Sequence, residues 1–195
     1  MAEPGEVIVN PATGERIEFR ETKDTTGGRL LEFELTLAPC GRLGGLPHKH
    51  EVTERLTIHA GTLSAWIGLV RRDIGPGESV TVPAGLSHYV FNDDSDEEVR
   101  ATVEVRPSRD FETFFETVFA IAAKRRYKAF RGLPRPLHIC LLAYTYGVYG
   151  PLVPIALQRP LLAPLAALAR LRGYPPAVDP TPVWADRADS GLSPA

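Results

Sequence analysis

Two histidines and a glutamate lie close together in the segment HKHEVTERLTIHAG, which spans residues 48–61. His48, His50 and Glu54 have the same parity, and residues two apart in a β-strand project from the same face. The leucine and isoleucine that follow continue this parity, so an uninterrupted strand points the imidazoles and the carboxylate into the interior. A buried carboxylate is costly unless a positive group pairs with it. Imidazole and carboxylate together suit Fe, Mn, Ni, Zn or Cu, so the pattern predicts a divalent metal site.

The positions of the other three histidines on the predicted elements decide which of them can be metal ligands. His88 follows a Pro-Ala-Gly turn at the head of another predicted strand and can supply one more nitrogen ligand. His59 has the opposite parity to Glu54, so we exclude it as a ligand. His138 lies in an apolar segment, where we expect it to pack rather than to bind. The candidate metal ligands are therefore His48, His50, Glu54 and His88.

These residues need a scaffold of short strands, and the first hundred residues have the pattern for one. Apolar and polar residues alternate over 31–37 and over 99–106, which predicts two half-buried strands. Further strands are predicted around 55–60, 62–70, 78–82 and 87–92, bounded by glycine or proline pairs. Many short strands at near-regular spacing favour a mainly β fold, either a sandwich or a barrel.

The pattern changes to a helical period after Pro107. Apolar residues from Phe111 to Ala122 recur at helical spacing and predict an amphipathic helix with a basic end at 124–128. Residues 136–158 carry no formal charge, yet their prolines and glycines would break a single helix repeatedly. We therefore expect short docked helices without membrane insertion, followed by a second amphipathic helix over 161–172.

These patterns divide the chain into four parts. They are an N-terminal segment or strand (1–27), a β-barrel (28–106), a helical extension (107–174) and a disordered tail (175–195). The apolar segment over 137–169 needs a surface to bury against, which predicts a homodimer.

Composition narrows the class of partner. The 22 basic and 24 acidic residues give a formal net charge of -2, without the basic footprint of a nucleic-acid-binding protein. The N-terminus has neither a basic nor an apolar region of a secretory signal, so we expect a cytoplasmic protein. Two cysteines a hundred residues apart indicate neither a disulfide framework nor a zinc knuckle. A small-molecule substrate is the expected partner.

The two histidine segments resemble the two signature motifs of the cupin superfamily. The first motif matches as His48-x-His50-x(3)-Glu54-x(6)-Gly61, although Arg42 stands where the family's opening glycine is expected. The second motif matches at every defined position, as Gly77-x(5)-Pro83-x-Gly85-x(2)-His88-x(3)-Asn92. The 15 residues between the motifs are few, as in compact single-domain bacterial cupins.

The resemblance implies an RmlC-like jelly-roll β-barrel of two packed sheets that holds one metal ion through His48, His50, Glu54 and His88. Four such ligands leave one or two positions open on a six-coordinate metal. Cupins with this ligand set include dioxygenases, sugar isomerases, polyketide cyclases and binding proteins. We expect an oxygenase with Fe(II) or Mn(II), with Zn, Ni or Cu as alternatives, that acts on a small apolar or aromatic molecule. A non-oxidative isomerase or cyclase and a non-catalytic binding protein remain open.

Aromatic residues on the predicted strands are candidates for lining a substrate pocket. They are Trp66, Tyr89 and Phe91. No catalytic acid or base beyond the metal ligands can be assigned from the sequence.

Overall fold

The computed structural model describes residues 2–10, 12–94, 96–123 and 134–178. Its strands are β1 (Val7–Asn10), β2 (Glu15–Glu21), β3 (Leu31–Leu37), β4 (Arg42–His50), β5 (Thr53–Ala60), β6 (Leu63–Ile67), β7 (Val70–Ile74), β8 (Ser79–Val82), β9 (His88–Phe91), β10 (Val99–Arg106) and β11 (Val148–Tyr149). Its helices are α1 (Lys23–Thr26), α2 (Phe111–Ala123), α3 (Pro136–Tyr146) and α4 (Ile155–Leu171). The predicted mainly β fold with a C-terminal helical extension is confirmed.

The strands form two antiparallel sheets. One has six strands in the order β1-β2-β3-β10-β5-β8, and the other has five in the order β11-β4-β9-β6-β7. Apolar residues of both sheets, such as Phe33, Leu56 and Val90, belong to one buried core. Among the described residues, no hydrogen-bonded ladder joins the two sheets. The two sheets therefore pack as the layers of a jelly roll, with the core between them.

The two strands with the clearest alternation pair with each other at the centre of the six-stranded sheet. Val103 on β10 lies opposite Phe33 on β3, and both are fully buried. The strand predictions for 31–37 and 99–106 are confirmed, because strict alternation specifies both the element and the face that it buries.

Two features of the sheets were not predicted. The segment expected to be one strand over 62–70 is a hairpin in which β6 and β7 are joined at Gly68, which has a positive φ of 60°. β7 was missed because its sequence, Val-Arg-Arg-Asp-Ile, has almost no apolar face: only Ile74 is buried. The N-terminal residues form the hairpin β1-β2, which lies at the edge of the six-stranded sheet through β3.

Helix α4 begins earlier than the predicted helix over 161–172 and contains two prolines, Pro160 and Pro164. Proline removes one helical hydrogen bond and leaves the carbonyl four residues before it without a donor. Both prolines and Ala156 lie on the exposed side of α4, where the freed carbonyls meet solvent rather than the interior. The helix predicted over 161–172 is therefore confirmed through Pro164, but it begins earlier than predicted and also includes Pro160.

The helical extension packs on the barrel instead of standing apart from it. Phe111, Phe115 and Phe119 of α2 enter the barrel core. Leu142 of α3 packs with the far end of α2, and Leu141 packs with Ala166 and Ala169 of α4 in a separate cluster. β11 extends the five-stranded sheet by pairing with β4, the strand that carries two of the candidate ligands.

The end of the extension is held to the helices. His138 Nε2 lies 2.9 Å from the Pro175 carbonyl oxygen, and the Tyr146 hydroxyl donates to the Pro176 carbonyl oxygen at 3.0 Å. Val178 is buried beside α2 and α3. Of the predicted disordered tail, residues 175–178 therefore pack on the protein, whereas 179–195 lie outside the described residues. The predicted basic helix end at 124–128 also lies outside them.

No helix in the described part of the chain has the length and apolar character needed to cross a bilayer.

Candidate metal centre

The four candidate ligands come from three strands, two of one sheet and one of the other. β4 carries His48 and His50, β5 carries Glu54, and β9 carries His88. His48 lies directly opposite His88 in the β4-β9 pair. His50, Glu54 and His88 are each less than 5% exposed. The single strand expected through His48, His50 and Glu54 is instead two strands, because β4 ends at His50 and β5 begins at Thr53. The structure therefore brings together all four residues of the predicted set.

A bulge in β4 shapes the approach to His48. The pairing of β4 with β9 shifts between Leu43 and His48, so the intervening residues leave the ladder. Gly44 within this bulge has φ of 70°, and a Cβ atom on it would lie 3.1 Å from Cε1 of the His48 ring. Both the backbone conformation and the closeness of the imidazole therefore favour glycine at this position.

Each histidine is oriented by a carbonyl oxygen of its own loop. The Nδ1 atoms of His48, His50 and His88 lie 2.8, 2.9 and 3.1 Å from the carbonyl oxygens of residues 46, 52 and 86. A carbonyl only accepts, so each Nδ1 donates its proton there and leaves Nε2 with its lone pair. Among the described residues, ligand atoms of these three histidines lie within 4.8 Å of one another and could hold a metal ion.

Glu54 completes the cluster. Its Oε2 lies 3.3 Å from Nε2 of His50 and 3.3 Å from Nε2 of His88. The His88 contact lacks hydrogen-bond geometry, so this buried nitrogen has no hydrogen-bond partner. Lone pairs of neutral imidazoles and of a carboxylate repel at such distances unless a proton or a cation lies between them. The donor set thus fits a divalent cation, which pairs the carboxylate and engages the His88 nitrogen.

Burial and mutual contact shift the pKa values in this cluster in different directions. Burial, and to a smaller extent the nearby His88, lowers the pKa of His48 to about 3. Burial alone would raise the pKa of Glu54, but contact with His50 and His88 outweighs it and holds this pKa far below its ordinary value. Burial alone would lower the pKa of His88, yet the Glu54 carboxylate outweighs it and raises that pKa. An ionised Glu54 is therefore the negative charge that the cluster presents to a cation.

A cavity of about 250 Å³ opens beside this cluster and is lined by both parts of the chain. The barrel lines it with Leu43, Gly44, Leu46, Pro47, His48, His50, Glu54 and Val105. The extension lines it with Phe111, Phe114, Phe115, Val118, Pro134, Ile139, Cys140, Leu142, Ala143, Val148, Tyr149, Gly150, Gln158 and Leu162. Most of the wall is apolar, and its charged group is the Glu54 carboxylate at the candidate metal centre.

The extension supplies the part of the site that sequence reasoning missed. The helical spacing of Phe111, Phe114, Phe115 and Val118 predicted a buried face of α2 but not what that face contacts. β11 was not predicted at all, because a strand of two residues carries no periodic signal. Its pairing with β4, Val148 opposite His50, places the extension beside the candidate ligands.

The predicted pocket residues Trp66, Tyr89 and Phe91 lie elsewhere and do not line this cavity. On β9, Tyr89 and Phe91 alternate with His88 and Val90, which face inward, so Tyr89 and Phe91 face the outer side of the sheet. Trp66 lies opposite Tyr89 and is 43% exposed. The rings of Tyr89 and Phe91 stack on each other with centroids 5.2 Å apart.

The other histidines lie apart from the cluster. His59 is on the outer side of β5, where its Nε2 lies 2.6 Å from the Thr102 hydroxyl oxygen. His138 is buried within α3 beside the Tyr174 ring. Asn92, the last position of the second motif, donates from its amide to the carbonyl oxygens of Ala38 and Glu97 and so braces the turn after β9.

The sequence profile of the family described as "Cupin domain" matches residues 33–105, the stretch from β3 to β10 that contains both histidine motifs. Residues 33–105 form a cupin domain. The match leaves the helical extension, and with it most of the cavity wall, outside the cupin domain.

Solved cupin structures resemble the barrel. An RmlC-like cupin from Shewanella frigidimarina is 14% identical, with a TM-score of 0.48, over 57% of this chain and 92% of that one. The polyketide cyclase RemF from Streptomyces resistomycificus is 18% identical, with a TM-score of 0.45, over 54% and 78%. A sugar phosphate isomerase of the cupin superfamily from Silicibacter pomeroyi is 21% identical, with a TM-score of 0.43, over 56% and 69%. Among curated proteins, none matches the chain.

Proposed function

We propose that this cupin is a metal-dependent oxygenase that acts on a small apolar molecule. Its ligands would be His48, His50, Glu54 and His88, with Fe(II) or Mn(II) as the metal and one or two coordination positions left for substrate and dioxygen. Such a metal supplies Lewis acidity or electrons to the reaction. The observation that carries the proposal is that the cluster of three histidines and one carboxylate borders a mostly apolar cavity, which His48, His50 and Glu54 line.

The cavity supports a small substrate. Its volume of about 250 Å³ lies just below the range of about 300–1,000 Å³ that is usual for ligand pockets. The apolar wall would hold the body of the substrate, and a single polar group would face the metal. Phe111, Phe114 and Phe115 lie on one side of the cavity and favour a flat or short aliphatic body.

The protonation state of the titratable side chains in the cavity wall favours an oxygenase over a non-oxidative isomerase or cyclase. An isomerase or cyclase needs a base near the substrate. Burial raises the pKa of the Cys140 thiol and of the Tyr149 hydroxyl, so both stay protonated at neutral pH and act poorly as bases. No further titratable side chain lines the cavity in the described part of the chain, apart from the candidate ligands. A non-catalytic binding protein shares these features and is distinguished by turnover.

Metal analysis followed by oxygen uptake tests the proposal. We expect close to one transition metal per chain after purification under anaerobic conditions, and its loss in His48→Ala and His88→Ala. His59→Ala is the matched control and should keep the metal, because His59 lies on the outer side of the sheet. Oxygen consumption with small apolar substrates separates an oxygenase from an isomerase or a binding protein. A wild-type chain that binds no transition metal would refute the proposal.

A further inference from the structure

Glu15 is a buried carboxyl group that lies outside the cluster of candidate ligands. It begins β2, is 1% exposed and accepts hydrogen bonds through both of its oxygens. Oε2 accepts from the Asn10 amide at 3.1 Å and from the Thr13 hydroxyl, which belong to the same hairpin. Oε1 accepts from the backbone amide of Gly44 at 2.7 Å, and Gly44 lies 29 residues further along the chain. A buried carboxyl group is costly, so its contact with a distant backbone segment suggests a role beyond its own hairpin.

The contact with Gly44 joins the two sheets. β2 belongs to the six-stranded sheet, whereas β4, which carries Gly44, belongs to the five-stranded sheet. Next to this contact, the Arg42 amide donates to the Thr13 carbonyl oxygen at 2.9 Å. The pairing of β4 with β9 shifts between Leu43 and His48, so the ladder is interrupted directly after these amides. The β1-β2 hairpin therefore holds β4 at the point where the bulge begins.

The bulge in turn determines where the His48 imidazole lies. The Nδ1 atom of His48 lies 2.8 Å from the carbonyl oxygen of Leu46, which is part of the bulge. At the start of the bulge, the ring packs so closely on the Gly44 backbone that a Cβ atom there would lie 3.1 Å from Cε1. Leu46 is 42% exposed, so the middle of the bulge is not held by the core. The hydrogen bond from Gly44 to Glu15 fixes its buried end.

His48 is also the least enclosed of the three histidines in the cluster. His50 and His88 are 3% and 2% exposed, whereas His48 is only partly buried. The barrel core therefore restrains the rings of His50 and His88 on more sides than that of His48. The orientation of His48 depends more strongly on the bulge, and through the bulge on Glu15.

We propose that Glu15 is a positioning residue for the candidate metal centre, because it holds Gly44 and the bulge so that the His48 imidazole directs Nε2 into the cluster. Glu15 acts through the β4 backbone and does not itself contact the cluster. The N-terminal hairpin, which precedes the residues that the cupin profile matches, is thereby part of the site. The inference rests on the proposed function in taking His48 as a metal ligand, but the position of the ring can be measured without metal.

Proton–nitrogen correlation NMR of the histidine rings in the metal-free full chain tests the proposal. Its readout is the Cε1–H signal of His48, because this group faces Gly44. We expect Glu15→Ala to shift this signal and to leave that of His59 in place, because His59 lies on the outer side of β5. The matched control is Ile8→Ala, which removes a fully buried side chain from the same hairpin and should lower stability without shifting the His48 signal.

Two further variants separate the accepting oxygen from the charge, and they serve as the test if Glu15→Ala does not fold. Glu15→Gln keeps an oxygen that can accept from Gly44, so the His48 signal should stay close to that of the wild type. Glu15→Asp keeps the charge but is one methylene shorter, so its carboxylate withdraws from Gly44. We expect Glu15→Asp to shift the His48 signal in the same direction as Glu15→Ala.

Binding of Co(II) measures the consequence for the metal centre. We expect Glu15→Ala and Glu15→Asp to lower the affinity for Co(II) about tenfold or more and to change the visible absorption bands of the bound ion, because one ligand is displaced. Glu15→Gln and Ile8→Ala should stay close to the wild type in both measurements.

Two results would overturn the proposal. The first is an identical His48 signal in the wild type, Glu15→Ala and Glu15→Asp, which would limit Glu15 to bracing its own hairpin. The second is an equal shift in Ile8→Ala and Glu15→Ala, which would assign the movement of the ring to a general loss of stability. A wild-type chain that binds no Co(II) would count against the metal site alone, because the NMR measurement is made without metal.

Discussion

The phenyl ring of Phe111 stands edge-on to the imidazole of His50, with ring centroids 5.2 Å apart and the ring planes at 84°. Phe111 is the first residue of α2 and therefore belongs to the extension, whereas His50 ends β4 of the cupin barrel. The same histidine lies opposite Val148 of β11. The helical extension thus contacts a candidate ligand from two elements, although the cupin family profile ends before it.

Replacing Phe111 with alanine should destabilise the protein and enlarge the cavity. Phe111 is 4% exposed, and removal of a buried phenyl ring costs about 3–5 kcal/mol of unfolding free energy. Chemical denaturation of both proteins measures this loss. Phe91→Ala is the matched control, because Phe91 stacks on Tyr89 at the outer face of the sheet and should cost less. Equal losses in the two variants would contradict the position of Phe111 in the core.

The candidate metal site could be predicted from the sequence because its information is local. His48 and His50 share one parity on β4, and strand alternation converts that parity directly into a common face. Glu54 follows a break at 51–52 and lies on β5 of the other sheet, so the packing of the two sheets, rather than alternation along one strand, brings it to the histidines. The bulge in β4 lies before His48 and therefore does not disturb this parity.

The cavity could not be predicted, because its wall depends on contacts between residues far apart in the chain. Tyr149 and Leu162 line the same cavity as Leu43, more than a hundred residues earlier. Apolar periodicity indicates that a helix face is buried but does not specify what covers it. The aromatic residues predicted for the pocket lie on the outer face for a different reason. Tyr89 and Phe91 alternate with the inward-facing His88 and Val90, and Trp66 lies opposite Tyr89, so strand parity places them outside although their residue type indicated a pocket.

Replacing Glu54 with glutamine should weaken metal binding while the fold is retained. Glutamine keeps the size of the side chain but removes the negative charge that neutralises part of a divalent cation. We expect the affinity for Mn(II), measured by calorimetry, to fall by about 10–100-fold or more. Glu51→Gln provides the control, because Glu51 is exposed and accepts a hydrogen bond from Arg109 at 3.1 Å outside the cluster. An unchanged Mn(II) affinity in Glu54→Gln would remove Glu54 from the ligand set.

Glu15 lies outside the metal cluster, and titration of its carboxyl group should make the stability of the fold depend on pH. Its carboxylate accepts hydrogen bonds from the Gly44 amide at 2.7 Å, from Asn10 at 3.1 Å and from the Thr13 hydroxyl. Burial nevertheless outweighs these bonds and raises its pKa from 4.5 to about 7. The folded protein therefore holds this proton more tightly than the unfolded chain does. The contribution to stability is fully present below pH 4.5 and is lost as the pH rises through about 7.

The size of this effect follows from the pKa difference. Moving a pKa from 4.5 to about 7 corresponds to about 3 kcal/mol of unfolding free energy. Glu15→Gln stays neutral, so its stability should fall less than that of the wild type between about pH 5 and about pH 8. Urea unfolding at both pH values measures the difference, with Glu3→Gln as a surface control. If Glu15→Gln loses as much stability over this range as the wild type, the titration belongs to another group.

Ala143 tests whether the extension sets the size of the bound molecule. It lies on α3 with its side chain at the cavity, so Ala143→Phe places a ring in the space left for a ligand. Fluorotoluene is a suitable probe, because small aromatic molecules bind apolar cavities and fluorine NMR reports their binding directly. We expect its binding to fall about tenfold or more in Ala143→Phe, while metal content stays the same because no candidate ligand is touched. Thr145→Leu, an exposed position on the same helix, should leave both quantities unchanged. Wild-type affinity for fluorotoluene in Ala143→Phe would show that the molecule binds elsewhere.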